Sequence, residues 1–210
     1  MTAQATSANM PVVLLKDGAS QTKGREAQKN NISAAKIIAE IVRTSLGPRG
    51  MDKMLVDSLG DVTITNDGAT ILKEIDVQHP AAKMLVEVSK TTDNEVGDGT
   101  TSVVVLAGAL LEQAESLLLQ DVHPTIIVDG YKKAANQVKQ YLKGLAEQVS
   151  ADDKPTLLKI AKTSMQTKLV RKDSDKLADL VVRAVLAAAV KDGDNYTCDL
   201  DDIKVEKKSG

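Results

Sequence analysis

The chain has 210 residues, with 27 Lys and Arg against 29 Asp and Glu, which gives a formal net charge of -2. Hydrophobic residues make up 42% of the chain and aromatic residues only 1%, so we expect a large core built from aliphatic side chains. The balanced charge and the scarcity of aromatics argue against nucleic-acid binding by a basic surface or by base stacking, and the single cysteine excludes an internal disulfide.

The first elements along the chain lead to a turn that exposes backbone groups. Residues 1–10 are polar, lack the apolar core of a signal peptide and are expected to be disordered. The apolar run at residues 12–15 predicts a short strand in need of a partner. Apolar residues at helical spacing predict a buried helix over 25–45. It ends at Leu46-Gly47-Pro48, where phosphate groups could approach the main chain without meeting a bulky side chain.

A hairpin and a second glycine-containing turn follow. Two short β-prone runs, residues 53–56 and 62–65, are joined by a turn and predict an antiparallel pair. Asn66-Asp67-Gly68 comes directly after the second run and places a carboxylate in a turn. As an isolated signal this tripeptide usually marks only a change of chain direction.

Three long helices are predicted in the next part of the chain, over residues 81–92, 100–120 and 125–148. The first and third of these helices begin at prolines. The histidines before these prolines, His79 and His123, are interpreted as cap or turn residues, because no further metal ligand is suitably spaced to form a metal site with them. The middle helix is expected to bury a face that includes Leu106 and Leu110. Its apolar run at residues 103–111 is too short for a membrane span.

The sequence Gly97-Asp98-Gly99-Thr100-Thr101-Ser102 precedes that middle helix and carries the strongest chemical signal. A helix start leaves backbone N–H groups unpaired, and the positive end of the helix dipole favours an anion there. Asp98 adds a carboxylate beside the anion site, so a cation such as Mg²⁺ is needed between the two negative groups. The hydroxyls of the next three residues can donate to phosphate oxygens. Taken alone, the motif could equally be a glycine-rich turn with a Ser/Thr cap.

The polar stretch 149–155 is the predicted domain boundary, which divides the chain into residues 1–150 and 151–210. Beyond it we predict a short helix around residues 157–161, a polar loop over 163–168 that ends in Lys168, a helix over 173–190 and a strand over 203–207. A strand at that position has no partner in the sequence, so we expect the chain to be the first portion of a longer protein.

The three turns, in this order and separated by long helices, resemble the nucleotide-binding signatures of the group II chaperonins, the archaeal thermosome and its eukaryotic cytosolic relatives. The resemblance implies a mainly α fold: a multihelical equatorial domain with a small β-hairpin over residues 1–150, and the first segment of an α/β intermediate domain over 151–210. The apical, substrate-binding domain would be absent. It also implies a cytoplasmic ATPase that binds ATP or ADP with Mg²⁺ and assembles with other chaperonin subunits into a double ring that folds unfolded proteins.

The resemblance also implies roles for individual residues. Asp98 would bind Mg²⁺, and Asp67 would be catalytic by orienting or deprotonating the attacking water. Lys168 would sense the terminal phosphate, although Thr167 stands where the family commonly has glycine. The remaining nucleotide-binding residues would be Leu46, Gly47, Pro48, Asn66, Gly68, Gly97, Gly99, Thr100, Thr101 and Ser102. The family uses a further catalytic aspartate from a segment beyond residue 210, so we expect nucleotide binding with little hydrolysis by these 210 residues.

Two other functions are considered. One is a non-enzymatic fragment that binds nucleotide or inserts into rings of other subunits through its hairpin, without folding activity. The other is a small-molecule kinase, which is disfavoured because the chain lacks a G-x-x-x-x-G-K-[ST] loop. Neither a nucleic acid nor a membrane is an expected partner.

Overall fold

A computed structural model describes residues 21–193, 195–206 and 208 of the chain. The predictions for residues 1–10 and for a strand at 12–15 fall outside the described residues. Seven α-helices and two β-hairpins account for most of the described part. Their bounds are α1 Gly24–Arg43, β1 Lys53–Val56, β2 Val62–Thr65, α2 Gly68–Glu74, α3 Pro80–Val96, α4 Thr100–Leu119, α5 Pro124–Leu145, α6 Lys154–Met165, α7 Ser174–Ala188, β3 Val190–Asp192 and β4 Asn195–Thr197. The predicted fold class, mainly helical with a small hairpin, is confirmed.

The principal core lies where α1 packs against α3 and α4, with the short helix α2 covering one end. Its buried members are aliphatic, as the composition predicts. Ile71 and Val42 are fully buried at its centre. The core consists of Ala35, Ile38, Ala39, Val42, Ile71, Leu72, Ala82, Leu85 and Val104.

Helices α1 and α4 approach each other unusually closely at Gly108. A Cβ atom at this glycine would lie 2.3 Å from the Cβ of Ala39. The crossing therefore depends on the small size of both residues, because any larger pair would force the helix axes apart. This crossing matters for function because α1 ends, and α4 begins, in the glycine-containing turns that the sequence analysis singled out.

Helix starts follow the predicted chemistry. The ring nitrogen of His79 accepts from the Ala81 N–H at the start of α3, and His123 accepts from the Thr125 N–H at the start of α5. The interpretation of both histidines as cap residues is confirmed. Helix α2 was not predicted, because it is only seven residues long and is stabilised mainly by burial of its apolar side.

The hairpin β1–β2 has the predicted strand limits, with Lys53 opposite Thr65 and Val56 opposite Val62. One face turns toward α2, while the other exposes four apolar side chains to solvent. These four residues are Met54, Val56, Val62 and Ile64.

Three predictions about the fold are wrong. Leu106 and Leu110 do not belong to the buried face of α4; their side chains are 60% and 40% exposed, and the face around Val104 and Gly108 packs inward instead. Residues 163–165 form the last turn of α6 rather than a loop. Residues 203–206 are irregular instead of forming a strand, and the strands near this end are the short hairpin β3–β4. Periodicity failed at α4 because it records amphipathic character without showing which face meets a neighbour.

Helix α4 is also long and apolar enough, by length and composition, to cross a membrane. In this structure it packs against α1 and α3, and Glu115 on its surface accepts a hydrogen bond from Lys36 of α1 at 2.9 Å.

The limits of the two predicted domains remain a prediction. Helices α6 and α7 pack on each other after the irregular segment 146–153.

Candidate functional site

The glycine-containing turns converge on one cavity of about 330 Å³. It lies between the C-terminal end of α1, the N-terminal end of α4 and the end of α6. Segments that are far apart in sequence therefore form its walls. The lining residues are Ser45, Leu46, Gly47, Asn66, Asp98, Gly99, Thr100, Thr101, Ser102, Thr163, Thr167 and Lys168.

The turn after α1 is held by its own backbone. Gly47 has a φ of 84°, a left-handed conformation that favours glycine. Its carbonyl accepts from the Gly50 N–H at 2.9 Å, and the Met51 N–H returns to the Thr44 carbonyl at 2.9 Å. These bonds fold residues 45–51 tightly, and Leu46 and Gly47 of this turn line the cavity.

The start of α4 offers backbone N–H groups to the cavity. Gly97 ends α3 with a φ of 70°, and Gly99 turns the chain into α4 with a φ of 77°. Among the described residues no side chain caps α4, so the N–H groups of its first turn remain available to an anion. The Asp98 carboxylate accepts from the Gly99 N–H at 2.7 Å and is otherwise exposed at the rim. It can therefore contact a cation that reaches the same rim.

The turn at residues 66–68 packs directly on the start of α4. A Cβ atom at Gly68 would lie 2.5 Å from the Thr101 hydroxyl, so only glycine allows this approach. Asp67 caps α2, since its Oδ2 accepts from the Thr70 N–H at 3.1 Å and from the Thr70 hydroxyl at 3.0 Å. The cap fixes the carboxylate at one end of the short helix.

The end of α6 is joined to the 66–68 turn by two polar contacts across 101 residues of sequence. The Asn66 side-chain amide donates to the Thr167 carbonyl at 2.7 Å. The Lys168 ammonium donates to Asp67 Oδ1 at 2.6 Å. Burial raises the pKa of the Asp67 carboxyl, but the hydrogen bonds from Lys168 and Thr70 outweigh burial, so the pKa lies below its ordinary value. Asp67 is therefore ionised at neutral pH and already engaged by both oxygens.

Nine of the thirteen predicted site residues line the cavity, and four lie just outside its lining. The four are Pro48, Asp67, Gly68 and Gly97. Of these, Asp67 is linked to the cavity through Lys168, and Gly68 through its contact with Thr101. Sequence reasoning overlooked Ser45 and Thr163, and it treated Thr167 only as a departure from the family pattern. Their polar side chains at helix ends carry no distinctive motif.

The cavity has the donors that a phosphate chain requires. The positive end of α4, the neighbouring hydroxyls and Lys168 all favour anions. The Ser45 hydroxyl is buried and has no hydrogen-bond partner in the described part of the chain. Within residues 21–193, 195–206 and 208 no group of three or more His, Cys, Asp or Glu could hold a metal ion. A metal at Asp98 therefore needs ligand oxygens and water, which is the usual environment of Mg²⁺ on a phosphate substrate.

Comparison with known proteins decides the family. The sequence model of the TCP-1/cpn60 chaperonin family matches residues 38–210. The chain is 57% identical over 203 residues to a thermosome subunit of Desulfurococcus sp. (strain SY), covering 97% of this chain and 37% of the relative. It is 57% identical over 206 residues to the thermosome subunit alpha of Archaeoglobus fulgidus, covering 98% of this chain and 38% of the relative. The chain belongs to the TCP-1/cpn60 chaperonin family. It spans somewhat more than a third of the length of these curated relatives.

Membership in the chaperonin family agrees with the resemblance drawn from the three turns. Nucleotide use is general in this family. The roles of Asp67, Asp98 and Lys168 in this chaperonin chain remain predictions.

Proposed function

We propose that the chain is the nucleotide-binding portion of an ATP-dependent chaperonin subunit. It holds Mg-ATP or Mg-ADP with the phosphates in the cavity between α1, α4 and α6. Within an assembled double ring of a longer protein, hydrolysis of that ATP drives the folding of unfolded proteins. The site of action is the cytoplasm. This agrees with the single cysteine, because disulfides are rare in reducing compartments.

One observation carries the proposal: the uncapped start of α4, the Asp98 carboxylate and the Lys168 ammonium line the same cavity. This combination provides both positive and negative groups. The helix start and the lysine suit phosphate oxygens, and the carboxylate suits a cation bound to them. A simple turn and helix cap would require neither Lys168 from a segment far along the chain nor an open helix start.

Each group then has a defined task, since phosphoryl transfer depends mainly on positioning and charge neutralisation. Bound Mg²⁺ would neutralise phosphate charge and would be held by Asp98. The N–H groups and hydroxyls of Thr100, Thr101 and Ser102 bind phosphate oxygens. Leu46 and Gly47 close the opposite wall with main-chain groups. Asp67 orients the attacking water, and its low pKa favours that role over proton abstraction.

The hairpin supplies the contact with neighbouring subunits in this proposal. Its exposed face pairs Met54 with Ile64 and Val56 with Val62. Two short strands form a marginally stable sheet by themselves, and their free edges can accept further strands. A second chaperonin subunit is the partner that the proposal assigns to this face.

The proposal is tested by calorimetric titration of the 210-residue chain with Mg-ATP. We expect saturable, Mg²⁺-dependent binding that Asp98→Ala weakens at least about tenfold, because a charged contact to a bound ion is lost. Hydrolysis by the 210-residue chain is expected to stay close to background.

The matched control is Glu95→Ala, which removes an exposed carboxylate three residues earlier and outside the lining of the cavity. It should leave the affinity within about twofold, since exposed charges are strongly screened. Equal effects of the two substitutions would contradict a specific role for Asp98. Failure of Mg-ATP to bind would refute the proposed function.

A further inference from the structure

The turn after α1 forms one wall of the cavity and is closed by contacts between its two arms. Residues 45–47 line the cavity. The Met51 N–H donates to the Thr44 carbonyl at 2.9 Å, so the chain returns to the end of α1 soon after it has formed the wall. A Cβ atom at Gly50 would lie 2.3 Å from the Ser45 carbonyl oxygen, so the two arms already touch through their backbones.

A side chain from outside the cavity adds a further contact to this turn. Lys53 is the first residue of β1 and lies outside the lining of the cavity, and its ammonium donates to the Thr44 hydroxyl at 2.8 Å. Thr44 therefore accepts two hydrogen bonds, one at its carbonyl from Met51 and one at its hydroxyl from Lys53. Because Thr44 directly precedes residues 45–47, its position determines where the wall begins.

The base of the hairpin also contacts the second turn of the cavity. Lys53 lies opposite Thr65 in the strand register, and the Thr65 hydroxyl accepts from the Asp67 N–H at 3.1 Å. Asn66, between these two residues, lines the cavity. The first residue of β1 is thus held by an ordered strand that joins both turns, and from there its side chain can restrain the wall.

We propose that Lys53 is a positioning residue for the cavity, whose bond to Thr44 holds residues 45–47 where a phosphate chain meets them. This inference rests on the proposed nucleotide site and adds to it a residue that does not line the cavity. With the bond in place, the wall is already formed before the ligand arrives. Without the bond, ordering of the turn has a cost that lowers the affinity for the ligand.

Positioning can be distinguished from simple attraction between the lysine and a phosphate. Attraction by charge depends on Lys53 alone and does not need the Thr44 hydroxyl. A positioning role needs both partners, so Thr44→Val, which keeps the lysine charge, should weaken binding as much as Lys53→Met does. Because both substitutions remove the same bond, the double variant should bind no more weakly than either single variant.

The test is a double-mutant cycle on the 210-residue chain, with calorimetric affinity for Mg-ATP at a fixed excess of Mg²⁺ as the readout. We expect each single variant to bind about threefold to tenfold more weakly than wild type, and the double variant to agree with them within about twofold. Thr44→Ser keeps the hydroxyl and should restore the affinity to within about twofold of wild type. The midpoint of urea unfolding should change little, because the bond is exposed.

Lys90→Met provides a control with the same change of charge, since Lys90 is an exposed residue of α3 outside the lining of the cavity. It should leave the affinity within about twofold of wild type. Wild-type affinity in Thr44→Val, additive losses in the double variant or failure of Thr44→Ser to restore binding would overturn the positioning role while leaving the nucleotide site intact. If Mg-ATP does not bind the folded wild-type chain, the proposed function fails and this inference fails with it.

Discussion

Substitution of Gly108 by alanine tests whether the α1–α4 crossing positions the cavity. The new Cβ would lie 2.3 Å from the Cβ of Ala39, whereas carbon atoms in good contact are about 3.5–4.0 Å apart. Neither methyl group can rotate away, because a Cβ position is fixed by the backbone. The two helices must therefore separate by roughly 1 Å or more at this point.

The expected change in the free energy of unfolding follows from two opposing effects. Overpacking of a core costs about 1–3 kcal/mol, and this contact belongs at the upper end because both atoms are attached directly to helical backbone. Alanine is favoured over glycine inside a helix by up to about 1 kcal/mol. We therefore expect Gly108→Ala to lower the free energy of unfolding by about 2 kcal/mol, measured by urea unfolding followed by far-UV circular dichroism. Mg-ATP affinity should fall as well, since α1 and α4 carry opposite walls of the cavity.

A rescue variant and a control variant distinguish the clash between Gly108 and Ala39 from other effects of the substitution. Ala39→Gly in the Gly108→Ala chain removes the clash, so the double variant should return to within about 1 kcal/mol of wild type. Gly130 lies in α5, and an added Cβ would meet nothing within 4 Å beyond the neighbouring helical backbone, so Gly130→Ala should stabilise by up to about 1 kcal/mol. The reasoning would be refuted if Gly108→Ala were as stable as wild type, or if Ala39→Gly worsened its stability.

Three further predictions use the same unfolding measurement. Ile71→Ala should cost about 3 kcal/mol, because Ile71 is fully buried in the core; a cost below about 1 kcal/mol would contradict that burial. Asp67 has a pKa below its ordinary value of 3.8, so its stabilisation is present above that value and lost as pH falls through the lowered pKa. Asp67→Asn should flatten the pH dependence of stability between about pH 5 and pH 2; an unchanged profile would count against the Lys168 contact. Gly99→Ala should cost about 1 kcal/mol, since φ is 77° there, and should weaken Mg-ATP binding; no loss of stability would mean that the turn relaxes.

The parts of the fold that sequence predicted well are those with local causes. The strands of the hairpin have the predicted limits, and the histidine–proline pairs open helices because proline fixes φ and the ring nitrogen accepts an orphan N–H. Gly47, Gly97 and Gly99 all adopt positive φ where the sequence indicated a sharp turn. In each case a few adjacent residues determine the conformation.

The features that were not predicted correctly depend on contacts between residues distant in sequence. Leu106 and Val104 lie on the same apolar helix, and the packing of α1 and α3 against it decides that Val104 is buried and Leu106 is 60% exposed. The contact of Lys168 with Asp67 likewise arises from two segments 101 residues apart. Sequence reasoning placed both residues near a phosphate, but it could not predict that they would bind each other. That pairing is a property of the folded chain.

Helix packing in the described part falls into two sets, one centred on α1, α3 and α4 and the other on α6 and α7. Polar contacts at the cavity join the two sets through Asn66, Asp67 and the end of α6. A ligand that contacts both the start of α4 and Lys168 would add a further connection at the same place. By thermodynamic linkage, it would then stabilise the arrangement of the two sets by as much as that arrangement strengthens its binding. The binding free energy of such a ligand would therefore be coupled to the orientation of α6 and α7 through a small number of named contacts, and each of these contacts can be removed singly.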